Sequence, residues 1–307
     1  MTTSAQTMIL ASLCADSLAL GAHWIYDTKE IDGKIGRVEH LLAPQPGSYH
    51  PTKGKGDFTH YGDQTLLLLE SLLRHQGFSA ERFAEDWQEY MQKYQGYMDK
   101  ASRTTLDNMA QNKGLTQSGS GSNDLAGAVR IAPLVFLYRN DRDSLLKAAQ
   151  AQTAITHNNA STLAGADLIA RIAWEVLHGA SPAEAVRSEV EKGVADISLD
   201  TRLRAALDSA AEESRTAIKN FGQTCAVDAA LPGVVHLVLK YEQDLATALI
   251  ENVMAGGDSA ARGLGVGMIL GAGPAGAALP QDWITGLRRQ AHIQELATKL
   301  DKLTSKQ

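Results

Sequence analysis

Two short Gly-Asp turns, each running straight into an apolar helical stretch, carry the side chains best placed to do chemistry. The first reads Tyr61-Gly62-Asp63-Gln64-Thr65 and continues into Leu66-Leu67-Leu68-Leu69. The second reads Gly256-Gly257-Asp258-Ser259-Ala260-Ala261 and opens a run of small residues from Gly263 to Gly276. A carboxylate at a helix N-terminus is favoured by unpaired backbone N–H groups and by the helix dipole. Brought together, two such ends make a pocket of paired carboxylates and free glycine backbone. That pocket suits a hard cation or a polyhydroxylated, phosphate-bearing ligand. Taken one at a time, each Asp also reads as a plain N-cap.

Three further segments fall in a telling order with these turns: Ala15-Asp16-Ser17-Leu18-Ala19-Leu20-Gly21-Ala22, Arg130-Ile131-Ala132-Pro133-Leu134 and Thr156-His157. Together the segments resemble the ADP-ribosylglycohydrolase family, which also includes crystallins, and the resemblance covers most of the chain. It implies a single all-α domain over residues 1–307, an orthogonal helical bundle, acting as a hydrolase on a glycosidic bond to ribose. It also implies a two-magnesium site held by a Thr-Asp-Asp-Thr motif and a Gly-Gly-Asp-Thr-Asp-Thr motif. Here the wording departs. Gly62 stands for the leading Thr, Gln64 and Ala260 for the second aspartates, Ser259 for a Thr and Ala261 for the last Thr. An amide oxygen coordinates without charge and an alanine not at all, so the metal chemistry does not carry over intact.

The resemblance then assigns expectations to residues. Asp63 and Asp258 are the expected catalytic acids, converging on one cleft. Asp63, Gln64, Asp258 and Ser259 are the ligands left for magnesium, one ion or none. Gly62, Gln64, Ser122, Asn123, Arg130, His157, Gly256 and Gly257 are expected to line the substrate, which is a small molecule or an ADP-ribosylated protein. The rival expectation, from a different class, is a catalytically silent ligand-binding or structural protein of the crystallin kind.

Other groups have two readings each. Asp16 sits in an apolar helix and must be paired or face a polar cavity. His157 is read at a helix start, as a cap-region residue or a donor to substrate. Asp27 is a loop acid or a water-activating one, and Asp124 a helix N-cap. Residues 27–62 form a long irregular stretch bearing Tyr49, His50, Lys53, Lys55, His60 and Tyr61, either a ligand-contacting lid or a solvated one. Residues 114–123 form a small polar loop, a linker or a backbone-lined ligand loop.

The elements that must position these groups are helices. Helix formers dominate and β alternation is nearly absent, giving expected helices at 4–21, 63–76, 80–94, 98–112, 124–138, 142–154, 160–178, 182–193, 200–219, 225–240, 243–254, 259–272 and 280–302. Ser79, Asp141, Ser181 and Asp258 mark starts; Gly77, Gly179 and Gly222 mark stops. The net charge of −6, with no basic run, argues against nucleic acid as a partner. Two cysteines, Cys14 and Cys225, make no disulfide framework, and Met1–Thr7 lacks the marks of a secretion signal, so a cytoplasmic protein free of membrane contact is expected.

Overall fold

A computed structural model of the protein describes residues 3–305, apart from the side chains of Leu115 and Thr116. Met1 and Thr2, part of the segment read for a leader, lie outside it. Among the described residues the regular structure is helical throughout, with two isolated bridges, Ser120 to His157 and Asp124 to Ala226, in place of any sheet. No helix is long and apolar enough to cross a membrane.

The centre is a pair of helices, Ser4–Ala19 and Ser259–Ala272, buried on nearly every side. Helices apolar all round belong inside a fold, and glycine spacing lets this pair approach closely. Gly263, Gly267 and Gly271 repeat every fourth residue along one face. A Cβ on Gly267 would lie 2.5 Å from the Ala11 carbonyl oxygen, and one on Gly271 would lie 2.6 Å from Ala11 Cβ. Around this axis pack Ala160–Leu177, Val227–Lys240 and Leu245–Met254, with His60–Arg74, Ala132–Leu137 and Gln290–Thr304 against the N-terminal helix.

The caps fall where the sequence placed them. Ser79, Asp141, Ser181 and Asp258 each accept a backbone N–H of the turn they open. Boundaries inside the long expected helices differ. The 124–138 run is two pieces, Ala126–Val129 and Ala132–Leu137, because Pro133 has no N–H to continue the ladder. The 200–219 and 280–302 runs also break, the latter between Gln281–Gly286 and Gln290–Thr304. The 27–62 stretch contains a helix, Thr28–Lys34, which Asp27 caps, so Asp27 serves as a cap.

Candidate functional site

Asp16 sets the geometry of the first turn. Its two oxygens accept from Thr59 N at 2.7 Å, Thr59 Oγ1 at 2.6 Å and Gly62 N at 3.2 Å. These bonds fix the start of the His60–Arg74 helix, capped by Thr59, so that its first residue, His60, comes three residues before the start expected at Asp63. They also explain Gly62: a Cβ there would sit 2.5 Å from Asp16 Oδ2. Burial pushes the Asp16 carboxyl up to about 7 against the pull of its Thr59 bonds.

Tyr61 and Asp63, two residues apart on this helix, face different ways. The Tyr61 hydroxyl donates to Asp258 Oδ2 at 3.3 Å. Asp63 Oδ2 instead takes Lys53 Nζ and the Tyr94 hydroxyl, the latter at 2.5 Å. Lys53 and Tyr94 are also part of the wall of a 490 Å³ cavity with Leu67, Glu70, Arg74 and Tyr90. Burial raises the Asp63 carboxyl, and Lys53 and Tyr94 oppose it. Asp63 and Asp258 have different hydrogen-bond and ion-pair partners, and the two partner sets are joined through one loop.

That loop is a turn in which Lys53 N donates to His50 O at 3.1 Å. From it Lys53 reaches Asp63, while His50 Nε2 lies 2.8 Å from His23 Nδ1, and His23 Nε2 lies 3.0 Å from Asp258 Oδ1. Burial lowers the basicity of His23 and takes His50 down to about 2, so both rings are neutral near pH 7. Assigned from the bonding pattern, His23 Nε2–H donates to Asp258 and His50 Nε2–H donates to His23. His50 Nδ1 is left as a buried acceptor without a hydrogen-bond partner. Asp258 also accepts Ala261 N at 3.2 Å, its cap bond, and the Cys225 thiol. Burial would raise Asp258, but His23 outweighs it and the carboxyl stays below its usual range.

An aromatic wall surrounds these groups. The Trp24 ring lies 5.0 Å from Tyr49 and 5.1 Å from Tyr97, and His60 lies 5.3 Å from Tyr97. Trp24 adopts φ 65, a strained conformation for a bulky residue, held by a bond from its N–H to Gly257 O at 3.0 Å. Asp99, the N-cap of Lys100–Ala110, sits 3.3 Å from His60 Nε2. Burial acts to raise Asp99, and His60 overrides it to hold the carboxyl well below the ordinary range. Sequence reasoning missed Asp99, Tyr94 and Tyr97. The signal was the helix break Tyr94-Gln95-Gly96-Tyr97 between the expected 80–94 and 98–112 helices, the second of which absorbed the cap residue Asp99.

Asp124 completes the acids. Its bridge to Ala226 places it beside Cys225, the residue whose thiol reaches Asp258. It is not the side-chain cap expected, since Leu125 precedes Ala126–Val129 with no cap bond. Half-buried, its carboxyl is raised first by burial and then by the charges of Asp258 and Asp99, against a lowering bond from Ser122.

The remaining expected residues are mostly engaged with the protein itself. Arg130 is 2% exposed; it donates to Gln64 Oε1 and, at 2.5 Å, to Thr156 Oγ1. Trp87 Nε1 donates to the same Gln64 oxygen at 2.7 Å. His157 ends the Arg142–Thr156 helix where a helix start was expected, and Asn159 caps the next one. Its Nδ1 lies 2.8 Å from Thr156 Oγ1, its Nε2 is buried without a hydrogen-bond partner, and burial takes the ring down to about 3. Ser122 bonds to Ser120 and Asp124 and its carbonyl accepts the Thr162 hydroxyl at 3.4 Å, while Asn123 is exposed, its carbonyl accepting Val227 N at 2.8 Å. The Gly256-Gly257 backbone, expected to be open to a ligand, is instead consumed by Val253, Ile25, Trp24, Ser259 and Arg262. Both glycines have positive φ, and a Cβ on Gly257 would lie 2.1 Å from Gln223 O.

Magnesium needs about six oxygen ligands near 2.0–2.1 Å. Most of the oxygens expected to supply them are taken by donors: Asp63 Oδ2 by Lys53 and Tyr94, Gln64 Oε1 by Arg130 and Trp87, and both Asp258 oxygens by His23, Ala261 N and Tyr61. Ser259 Oγ, the remaining expected ligand, is buried without a hydrogen-bond partner, and one hydroxyl falls far short of about six oxygens. Among the described residues no three His, Cys, Asp or Glu side chains gather as a metal site. The residues present therefore do not fit the ion.

The assembly has relatives. Crystallin J1A of Tripedalia cystophora is 24% identical over 317 residues, spanning 98% of this chain and 97% of that protein. An uncharacterized protein of Archaeoglobus fulgidus is 27% identical over 299 residues, spanning 96% and 95%. A solved structure described as an ADP-ribosylglycohydrolase-related protein complex superposes with a TM-score of 0.73 at 21% identity, covering 99% of this chain and 98% of that one, which shows a shared fold. A family model described as ADP-ribosylglycohydrolase matches residues 3–307. With that match running from the N-terminal helix to the C-terminus over this helical bundle, the chain belongs to the ADP-ribosylglycohydrolase family.

Proposed function

We propose that the protein hydrolyses a glycosidic bond to ribose in an ADP-ribosyl or related substrate, using its own carboxylates without magnesium. The observation that carries the reading is the contrast between Asp124 and Asp258. They flank Cys225, and their environments push them apart: Asp124 upward, toward a protonated acid, and Asp258 downward, toward a fixed anion. Paired carboxyls tuned in opposite directions divide the work of glycoside cleavage. Asp124, the more accessible, donates its proton to the leaving atom. The bond to the anomeric carbon breaks and its electron pair leaves with that atom. The fields of Asp258 and Asp99 stabilise the oxocarbenium-like charge that develops. Water then adds to the anomeric carbon and returns a proton to Asp124. The wall of Trp24, Tyr49 and Tyr97 offers faces on which a base or ribose ring can stack.

The test is a screen of ADP-ribosylated protein, free ADP-ribose derivatives and nucleosides for release of the ribosyl product. Asp124→Asn and Asp258→Asn should each lower turnover by at least ~10², the scale of one positioned proton-transfer or electrostatic group. Turnover untouched by both would place catalysis elsewhere. Binding of a ribosyl ligand with no turnover of any substrate would return the silent, crystallin-like reading.

A further inference from the structure

We infer that Lys53 is a built-in counter-cation that closes Asp63 to divalent metal, so that protein-borne positive charge stands where the motif's position would offer a metal ligand. Adjacent residues show the same replacement. At position 63 an ammonium sits on the carboxylate, and at position 64 the Arg130 guanidinium sits on the amide oxygen. Across the cleft, positions 260 and 261 are fully buried alanines with no side-chain oxygen. Lys53 is held rather than draped: its side chain is 14% exposed, and its turn is pinned on both flanks. Upstream, His50 is locked through His23 to Asp258; downstream, Gly54 N donates to Asp57 Oδ2 at 2.8 Å and Arg288 N donates to Gly56 O at 3.0 Å.

The chemistry follows from lone pairs and charge. Asp63 Oδ2 already accepts two donors, and a dication drawn to the other oxygen would lie within a few ångströms of a fixed ammonium in a buried, weakly screened site. The ammonium neutralises Asp63 with one charge and needs no ring of six oxygens, which this chain does not supply. The inference stands apart from the glycohydrolase reading, because cation binding is measured with no substrate present.

The experiment titrates the full-length protein with Mn²⁺, followed by loss of the free-ion electron paramagnetic resonance signal, and with Mg²⁺ by calorimetry. The unmodified protein should show no saturable binding with a dissociation constant below about 1 mM, the weak end of hard-cation sites. Lys53→Met, which keeps most of the stem and removes the charge, should bind Mn²⁺ at least several-fold more tightly than the unmodified protein, and Lys53→Met combined with Asp63→Asn should lose that gain. Circular dichroism establishes that the variants are folded; if Lys53→Met is not, Lys53→Gln replaces it. Binding by the unmodified protein that Asp63→Asn abolishes would overturn the inference. So would a folded Lys53 variant that binds no better than the unmodified protein.

Discussion

Partners decide the charge of each buried group in this cleft, and the histidines make that measurable. His50 and His157 are held neutral by burial, down to about 2 and about 3. In the unfolded chain an imidazole takes its proton near 6.5. Below that pH the unfolded chain binds more protons than the native one. The stabilising contribution is therefore complete above about 6.5 and is lost as pH falls toward the folded values. Asp16, raised to about 7, works in the opposite sense: its contribution is complete below about 4 and is lost as pH rises through 7. A difference experiment separates them. Urea unfolding of the native protein and of His157→Gln, from pH 7 to pH 5, should show the native protein losing about 1 kcal/mol more per pH unit below 6.5. Parallel pH profiles would mean that His157 titrates normally in the fold.

At the scale of elements, the Gly256-Gly257 turn and the glycine face of Ser259–Ala272 do different work. The turn is a backbone knot. Gly257 N donates to Ile25 O at 2.8 Å, Trp24 N donates to Gly257 O, and Asp258 N donates to Gln223 O, both at 3.0 Å. It delivers Asp258 to His23 and holds Trp24 in its strained conformation. Gly257→Ala places a side chain at φ 69 and against Gln223 O, so it should destabilise the protein by about 2 kcal/mol or more and disturb the site. Thermal unfolding together with tryptophan fluorescence reads both effects; an unchanged melting temperature would show that the turn relaxes freely. Gly267→Ala meets the Ala11 carbonyl oxygen instead. It should lower stability by about 1–3 kcal/mol through overpacking of the central pair, while the site's ring contacts stay intact. A melting temperature equal to the unmodified protein's would show that the two helices can separate to make room.

For the whole molecule, one continuous core cluster runs from Ala5 to Leu300 and includes residues of most helices. Elements that share a core lose it together. Helix content by far-UV circular dichroism and the environment of the four tryptophans, which report from separate regions at 24, 87, 174 and 283, should unfold in one coincident transition. Two separated transitions would divide the chain into independent units and overturn the single-domain expectation. A far-UV spectrum of β type would contradict the helical bundle itself.

Sequence determined the local chemistry. Helical periodicity, the caps Ser79, Asp141, Ser181 and Asp258, and the Gly-Asp turns are set by residues within one or two helical turns of each other, so they can be read along the chain. The family too was legible, because its motifs are short and ordered. What tertiary structure alone decided is which face each acid presents and what meets it there. Asp63 meets Lys53 ten residues away and Tyr94 thirty-one away, whereas Asp258 meets His23 across 235 residues. Asp16 moves the helix start to Thr59–His60 from a different helix altogether. Gly256 and Gly257 look open in sequence, but they are filled by backbone from residues 24–25 and a side chain at 262. Charge state, ligand vacancy and metal fit depend on such long-range donors and on desolvation, and neither is encoded in the spacing of neighbours.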